Sequence, residues 1–185
     1  ERVRDLGRRA LPLVVDVTDG EQVRMMVDRT VQELGRVDIL VNNAAVSIGA
    51  DRVPIVDVDP DLFRRVVDVK LTGMFLCSKA AIKVMIEQDE GGKIVGVSSV
   101  AGKRGTANSL AYNAACFAMV GMTQSLAQEL GPHRINVNCV CPSAVDTSRM
   151  DHYERDEGWR EMSERHPIGR SGTPEEVGGF ITYLC

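Results

Sequence analysis

Residues 93–116, KIVGVSSVAGKRGTANSLAYNAAC, contain a strand pattern, a polar turn and a helix pattern in succession. The apolar run at 93–97 predicts a buried strand that ends at Ser98 and Ser99. After the turn, Tyr112 lies near the start of an apolar segment long enough to form a helix. Cys116 follows one helical turn later on the same face. The stretch therefore predicts a serine and a tyrosine at the junction of a strand and a helix.

Strand-like and helix-like segments alternate through the rest of the chain. Short apolar runs predict further strands at 10–15, 37–41 and 134–140, and apolar periodicity predicts helices at 18–34, 60–88 and 110–130 and from 173 onward. Thr18 and Glu21 form a capping-box pattern, and Pro60 follows Asp59 as a first-turn proline does. This order predicts one α/β domain over 1–185, a three-layer, doubly wound parallel sheet of Rossmann-like type.

Ligands of such sheets bind beyond the carboxyl ends of the strands. The predicted strand ends place Asp16 and Val17, the turn at 42–45, Ser99 and the loop at 142–147 along one edge. Tyr112, near the start of the helix that comes after Ser99, is expected at the same edge. We therefore expect the chemistry of the protein to lie there.

Composition restricts the class of protein. The net charge of −4 and the pI near 5.4 argue against nucleic-acid binding. No apolar run approaches the roughly 18 residues that span a bilayer, so no membrane partner is expected. Five cysteines, an odd number, indicate reduced thiols in a cytoplasmic protein. Cys139 and Cys141 are a possible metal pair, but their spacing is unlike that of structural zinc sites, and we expect no metal.

Six segments in the expected order resemble the short-chain dehydrogenase/reductase family, particularly its ketoacyl-reductase-like members. They are the strand end at 16–19, the Asn-Asn-Ala turn within 38–45, the serine segment 98–102, Tyr112, the turn at 142–147, and 167–177. The resemblance implies an NAD(P)-dependent oxidoreductase that transfers hydride between a nicotinamide and a small ketone or secondary alcohol. It also implies a homodimer or homotetramer formed through the helices at 60–88 and 110–130.

The resemblance assigns roles to individual residues. Tyr112 would donate the proton and Ser99 a hydrogen bond to the substrate oxygen. The segments that bind NAD or NADP in the family correspond here to Asp16, Val17, Asn43, Ala44, Ala45, Tyr112, Pro142, Ser143, Val145 and Thr147. Residues 148–166 resemble a substrate lid.

Four positions depart from the family pattern. Cys116 stands where the family has the lysine that lowers the pKa of the tyrosine, and Lys70 stands where it usually has asparagine. Ala45 and Ser143 replace glycines that lie close to the cofactor. One hypothesis is that Lys70 has taken over the ammonium, which makes Ser99, Tyr112, Lys70 and Cys116 the candidate catalytic set. The alternatives are a solvated or salt-bridged Lys70, with Asp68 as its partner, and a space-filling or redox-active Cys116 thiol.

The chain also lacks the family's glycine-rich phosphate loop and its final strand. We therefore expect an incomplete dinucleotide site, a sheet with unpaired edges, and an impaired enzyme. Two alternatives remain open: an inactive relative that serves as a binding or oligomerisation module, and a truncation product without a function of its own. Neither the choice between NAD and NADP nor the substrate follows from these residues.

Overall fold

The computed structural model describes residues 2–46, 52–147, 163–164 and 166–185. The helices are α1 (Arg2–Asp5), α2 (Gly20–Leu34), α3 (Pro60–Val67), α4 (Gly73–Gln88), α5 (Leu110–Leu130) and α6 (Pro174–Leu184). The strands are β1 (Ile39–Asn42), β2 (Gly92–Val97) and β3 (Ile135–Val140). Most of the predicted lid at 148–166 lies outside the described residues.

Within the described ranges the sheet has three parallel strands in the order β1-β2-β3. Ile39 is opposite Lys93 and Asn42 opposite Gly96, while Gly92 is opposite Ile135. Helices separate the strands along the chain, as parallel pairing requires. The α/β class with a parallel sheet is confirmed, and with it the predicted strands at 37–41, 93–97 and 134–140.

The predicted strand at 10–15 is wrong for the described structure. This segment forms no ladder with any described strand, and Val14 is fully exposed. Ile39 and Val41 of β1 are also about half exposed. A short apolar run indicates a tendency toward β structure, but a strand also needs a neighbour to pair with. The segment at 10–15 has no pairing partner among the described strands.

The start of α2 also differs from the prediction. Asp19, not Thr18, is the N-cap, and its carboxylate accepts hydrogen bonds from the main-chain N–H groups of Glu21 and Gln22 at 2.9 and 3.2 Å. Thr18 instead donates through its N–H and its hydroxyl to Asp16. Both residues are good caps, and the turn that precedes the helix determines which one is used.

The predicted helix at 60–88 forms over that range but contains a π-turn at Asp68–Thr72, between α3 and α4. Asp59 caps it and Pro60 occupies the first turn, as predicted. A π-turn accommodates one extra residue within a helix, and the apolar pattern of 60–88 does not reveal it. The turn contains Lys70, which is only 3% exposed.

The core lies between the sheet and the helices α2, α4 and α5. Its principal cluster combines Val27, Ala81, Met85 and Leu130 with the strand residues Ile94, Ile135 and Val137. A second cluster of Val66, Ala111 and Ala115 joins α3 to the first turns of α5. This second contact holds the π-turn beside the segment that carries Tyr112.

Candidate active site

The end of β2 is packed tightly against α5. The Ser98 hydroxyl donates a buried hydrogen bond of 3.0 Å to the main-chain carbonyl of Cys116. A Cβ atom placed on Gly102 would lie 2.7 Å from that same carbonyl oxygen. Because only a glycine fits at this distance, the short 3₁₀ helix Val100–Gly102 lies directly on the helix that carries Tyr112.

Ser99 caps that 3₁₀ helix. Its backbone is extended, and its side-chain oxygen accepts a hydrogen bond of 3.2 Å from the Ala101 N–H. The side chain is half-buried at the carboxyl end of β2. The predicted catalytic serine therefore lies at the edge of the sheet where the parallel fold places ligands.

Tyr112 is half-buried in the first turn of α5. The Lys70 Nζ atom lies over its ring, 5.1 Å from the ring centroid, which is within the range of a cation–π interaction. Lys70 reaches this position from the π-turn, so two elements distant in sequence meet here. The alternative of a solvated Lys70 is wrong, because the side chain is buried.

Burial is the main cause of the raised pKa of Tyr112, and nearby Cys116 raises it further. A hydrogen bond with Ser99 and the charge of Arg52 act in the opposite direction. Burial also raises the pKa of the Cys116 thiol, against the lowering effect of the Lys70 charge. Desolvation disfavours the charged form of each group, so both are neutral near pH 7.

A cavity of about 170 Å³ lies beside Lys70, between β1 and the helix that contains the π-turn. Its lining includes Val17, Asn43, Ala44, Lys70 and Gly73. Asn43 and Ala44 are exposed, and Ala45 is half-buried next to them. Lys70 therefore shares one cavity with three residues predicted to bind a cofactor, namely Val17, Asn43 and Ala44.

Asp16 lies at the same edge as an exposed carboxylate. The N–H and hydroxyl of Thr18 donate to it, and Arg65 is 3.7 Å away. These hydrogen bonds, with the Arg65 charge, lower the pKa of Asp16 below its usual value. Asp16 is therefore an ionised hydrogen-bond acceptor near the end of the segment at 10–15.

The loop at 142–147 is held from two sides. The Val100 N–H donates to the Pro142 carbonyl at 2.8 Å, and Val145 forms a parallel bridge with Gly172. Ser143 is exposed, and its hydroxyl is 2.6 Å from the Nε2 atom of His166. Thr147, half-buried, ends the described part of this loop.

The two positions where glycine is replaced have an ordinary backbone. Neither Ala45 nor Ser143 is among the described non-glycine residues with positive φ. The substitutions therefore cause no left-handed strain. Any effect they have on a ligand must come from the added side-chain atoms.

Sequence reasoning missed three residues that shape the site. Ser98 was overlooked beside Ser99, although the alternation of a strand turns the two side chains to opposite faces. The close approach at Gly102 depends on the tertiary packing of α5. His166 is the third, and nothing in the sequence connects it with Ser143.

Comparisons with known proteins place these features in a family. A family model described as enoyl-(acyl carrier protein) reductase matches residues 1–185. A 3-oxoacyl-[acyl-carrier-protein] reductase of Thermotoga maritima is 38% identical over 174 residues, which cover 94% of this chain and 69% of the relative.

Two solved structures have the same fold. Carveol dehydrogenase from Mycobacterium avium, in complex with NAD, superposes with a TM-score of 0.92 at 30% identity, over 99% of this chain and 70% of that one. Gluconate 5-dehydrogenase from Burkholderia cenocepacia, in complex with NADP and tartrate, superposes with a TM-score of 0.90 at 29% identity, over 100% of this chain and 71% of that one. The doubly wound arrangement expected from the sequence is thereby confirmed.

Proposed function

Because the chain belongs to the short-chain dehydrogenase/reductase family of NAD(P)-dependent oxidoreductases, we propose that it interconverts a ketone and a secondary alcohol. The observation that carries this proposal is the meeting of Ser99, Tyr112 and a buried Lys70 at the carboxyl edge of the sheet. Polar groups of this kind are suited to a substrate oxygen whose charge changes during reaction.

The residues at this edge fit a nicotinamide dinucleotide in part. Asp16 offers an ionised acceptor for an adenine amino group, and Val17, Asn43 and Ala44 line the cavity that Lys70 also lines. The loop at 142–147 would contact the nicotinamide through Pro142, Ser143, Val145 and Thr147. The described residues include no glycine-rich turn for the pyrophosphate, so the fit covers the two ends of the cofactor and not its middle.

A bound NAD or NADP would supply or accept the hydride. The protein's part is to manage the proton on the substrate oxygen. Tyr112 holds that proton at neutral pH because burial keeps its phenol un-ionised. Ser99 donates a second hydrogen bond, which places the substrate oxygen between the two hydroxyl groups. The carbonyl is polarised by both.

Cys116 is expected to limit the rate. A buried neutral thiol supplies no positive charge to Tyr112. We therefore expect turnover below that of a variant with lysine at this position, which is the impairment inferred from the sequence.

The proposal is tested with the purified 185-residue chain. A thermal shift with NADH or NADPH at millimolar concentration, and cofactor-dependent turnover of a panel of ketones, are the expected results. Tyr112→Phe is the control, because it keeps the ring and removes the proton donor. A wild-type chain that shows neither a thermal shift nor turnover would refute the oxidoreductase proposal.

The second candidate, a binding or oligomerisation module, is favoured by exposed apolar residues on the two long helices. Leu110 and Phe117, seven residues apart on α5, are 44% and 46% exposed, and Phe75 of α4 is 49% exposed. We propose that these faces pair two copies as a homodimer, or four as a homotetramer. Phe117→Glu should then lower the molar mass measured by light scattering.

The proposed setting is the cytoplasm. All five cysteines carry free thiols, which suits a reducing compartment. In the part of the chain that the structure describes, no helix is long and apolar enough to cross a membrane.

A further inference from the structure

Lys70 is a charged side chain in an unusual place. It is 3% exposed, it lies in a π-turn, and its Nζ atom is 5.1 Å from the centroid of the Tyr112 ring. Lysine is rarely buried without a partner that compensates for the lost water. The aromatic face of Tyr112 is one such partner.

We propose that Lys70 is a positioning residue that supplies, from the neighbouring helix, the positive charge that favours the ionised form of Tyr112. The inference rests on the proposed function and names the source of an ammonium that position 116 lacks. It requires a relocation of the charge from α5, where the family carries it, to the π-turn.

The position of Lys70 allows its charge to act both on the cavity and on Tyr112. Lys70 lines the cavity that also contains Asn43 and Ala44, and it lies over the ring of Tyr112. The contact between Val66 of α3 and Ala111 and Ala115 of α5 fixes the two helices against each other. The distance between Lys70 and Tyr112 is therefore set by core packing rather than by a surface loop.

The other groups described around Tyr112 do not include a second buried cation. Ser99 is neutral, and Arg52, whose charge lowers the pKa of Tyr112, is exposed. The charge of Lys70 lowers the pKa of the Cys116 thiol, but burial has the larger effect and raises it. At neutral pH the thiol is uncharged, so it does not neutralise the ammonium.

The proton balance of the reduction step shows what the charge does. The hydride's electron pair forms the new C–H bond at the carbonyl carbon, and the C=O π pair moves to the substrate oxygen. The O–H bond of Tyr112 breaks as its proton moves to that oxygen. The electron pair of the broken O–H bond stays on the phenol oxygen. Lys70 keeps its proton and stabilises the resulting tyrosinate; in the oxidation direction the same tyrosinate accepts the alcohol proton.

The first test measures the ionisation of Tyr112 without cofactor, by ultraviolet titration of the chain minus its Tyr112→Phe variant. Lys70→Met keeps a long apolar stem and removes the charge, so the Tyr112 midpoint should rise by about 1–2 pH units. Lys70→Arg should hold the midpoint near the wild-type value. An unchanged midpoint in a folded Lys70→Met variant, checked by circular dichroism, would overturn the proposal.

The second test uses reversal. The double variant Lys70→Asn with Cys116→Lys restores the family arrangement and should bring the Tyr112 midpoint back toward the wild-type value, while Lys70→Asn alone should raise it. Equal midpoints in these two variants would contradict the relocation. Cys116→Ala is the matched control: if Lys70 acts on Tyr112, removing the thiol should leave the midpoint at or below the wild-type value.

Kinetics separate this inference from the proposed function. With an active chain, the pH at which alcohol oxidation reaches half its maximum should move upward in Lys70→Met by the same amount as the midpoint, with about 10–100-fold loss near pH 7. Turnover that keeps its wild-type pH profile in this variant refutes the role of Lys70 and leaves the oxidoreductase standing. A wild-type chain without turnover refutes the oxidoreductase, and the titration then decides the charge relationship by itself.

Discussion

Ser98 and Cys116 are joined by a buried hydrogen bond from the serine hydroxyl to the cysteine main-chain carbonyl, across 3.0 Å. The bond connects the residue that follows β2 with the helix that carries Tyr112. Ser99 is the next residue along the chain. The bond therefore helps to hold Ser99, at the end of β2, close to the helix α5 that carries Tyr112.

Ser98→Ala should therefore weaken both stability and activity. We expect a loss of about 1 kcal/mol in the free energy of unfolding, because one buried hydrogen bond is removed, and a further fall in kcat as Ser99 loses its alignment with Tyr112. Urea denaturation and initial rates measure the two effects. The control is Thr123→Ala, whose hydroxyl bonds to Met119 within α5 itself; it should cost stability and leave kcat unchanged. A kcat effect of equal size in both variants would argue against a connecting role for Ser98.

Gly102→Ala should destabilise the protein by about 1–3 kcal/mol, as overpacking does. The new methyl group would lie 2.7 Å from the Cys116 carbonyl oxygen, and main-chain atoms of a helix cannot move aside cheaply. Chemical denaturation measures the change. Gly178→Ala in α6 is the matched control, because nothing lies within 4 Å of its added Cβ; it should be neutral or stabilise by about 0.5–1 kcal/mol. If Gly102→Ala behaves like Gly178→Ala, the close approach of Gly102 to the Cys116 carbonyl is refuted.

Glu176 should make stability depend on pH in the acid range. A hydrogen bond from Arg170 and one from the Thr173 N–H lower the pKa of Glu176 to about 2, against an ordinary value of 4.5. The unfolded chain binds a proton first as pH falls, so this contribution is complete above pH 4.5 and is lost as pH falls toward 2. The difference in melting temperature between wild type and Glu176→Gln should shrink from pH 5 to pH 2.5. A difference that stays constant over this interval would contradict the shift.

Ser143→Gly should tighten cofactor binding several-fold if the side chain crowds the nicotinamide. Ser143→Ala separates crowding from the bond to His166, because it keeps Cβ and removes the hydroxyl. Titration of each variant with NADH and NADPH gives the dissociation constants. Crowding predicts an effect in the glycine variant only. If both variants bind more tightly to the same degree, the bond to His166, rather than the size of residue 143, restricts the cofactor.

The parts of the fold that depend on local pattern were predictable from the sequence. The helix at 110–130 and the strand at 134–140 follow from apolar periodicity and from the Gly131-Pro132 stop, and the structure has them within one residue. The choice of Asp19 over Thr18 as a cap was not predictable, because both residues can cap and a hydrogen bond from Thr18 to Asp16 decides between them.

The site was predictable in its members but not in its geometry. Ser99, Tyr112 and Lys70 came from motif positions, whereas the burial of Lys70 depends on how α3 packs against α5. The bond between Ser143 and His166 joins residues 23 positions apart with no shared pattern. Such contacts are made by the tertiary fold, so a single sequence does not contain a signal for them.

The π-turn at Asp68–Thr72 makes the site sensitive to chain length as well as to residue type. Because the turn absorbs one extra residue, deletion of one residue here would restore regular α spacing and leave the two halves of the helix close to their present orientation, but it would change the direction in which residues 68–72 project. Lys70 would then point away from Tyr112 although no site residue had been replaced. In genetic terms, loss of a single codon at 68–72 would remove the buried charge as completely as a substitution of Lys70.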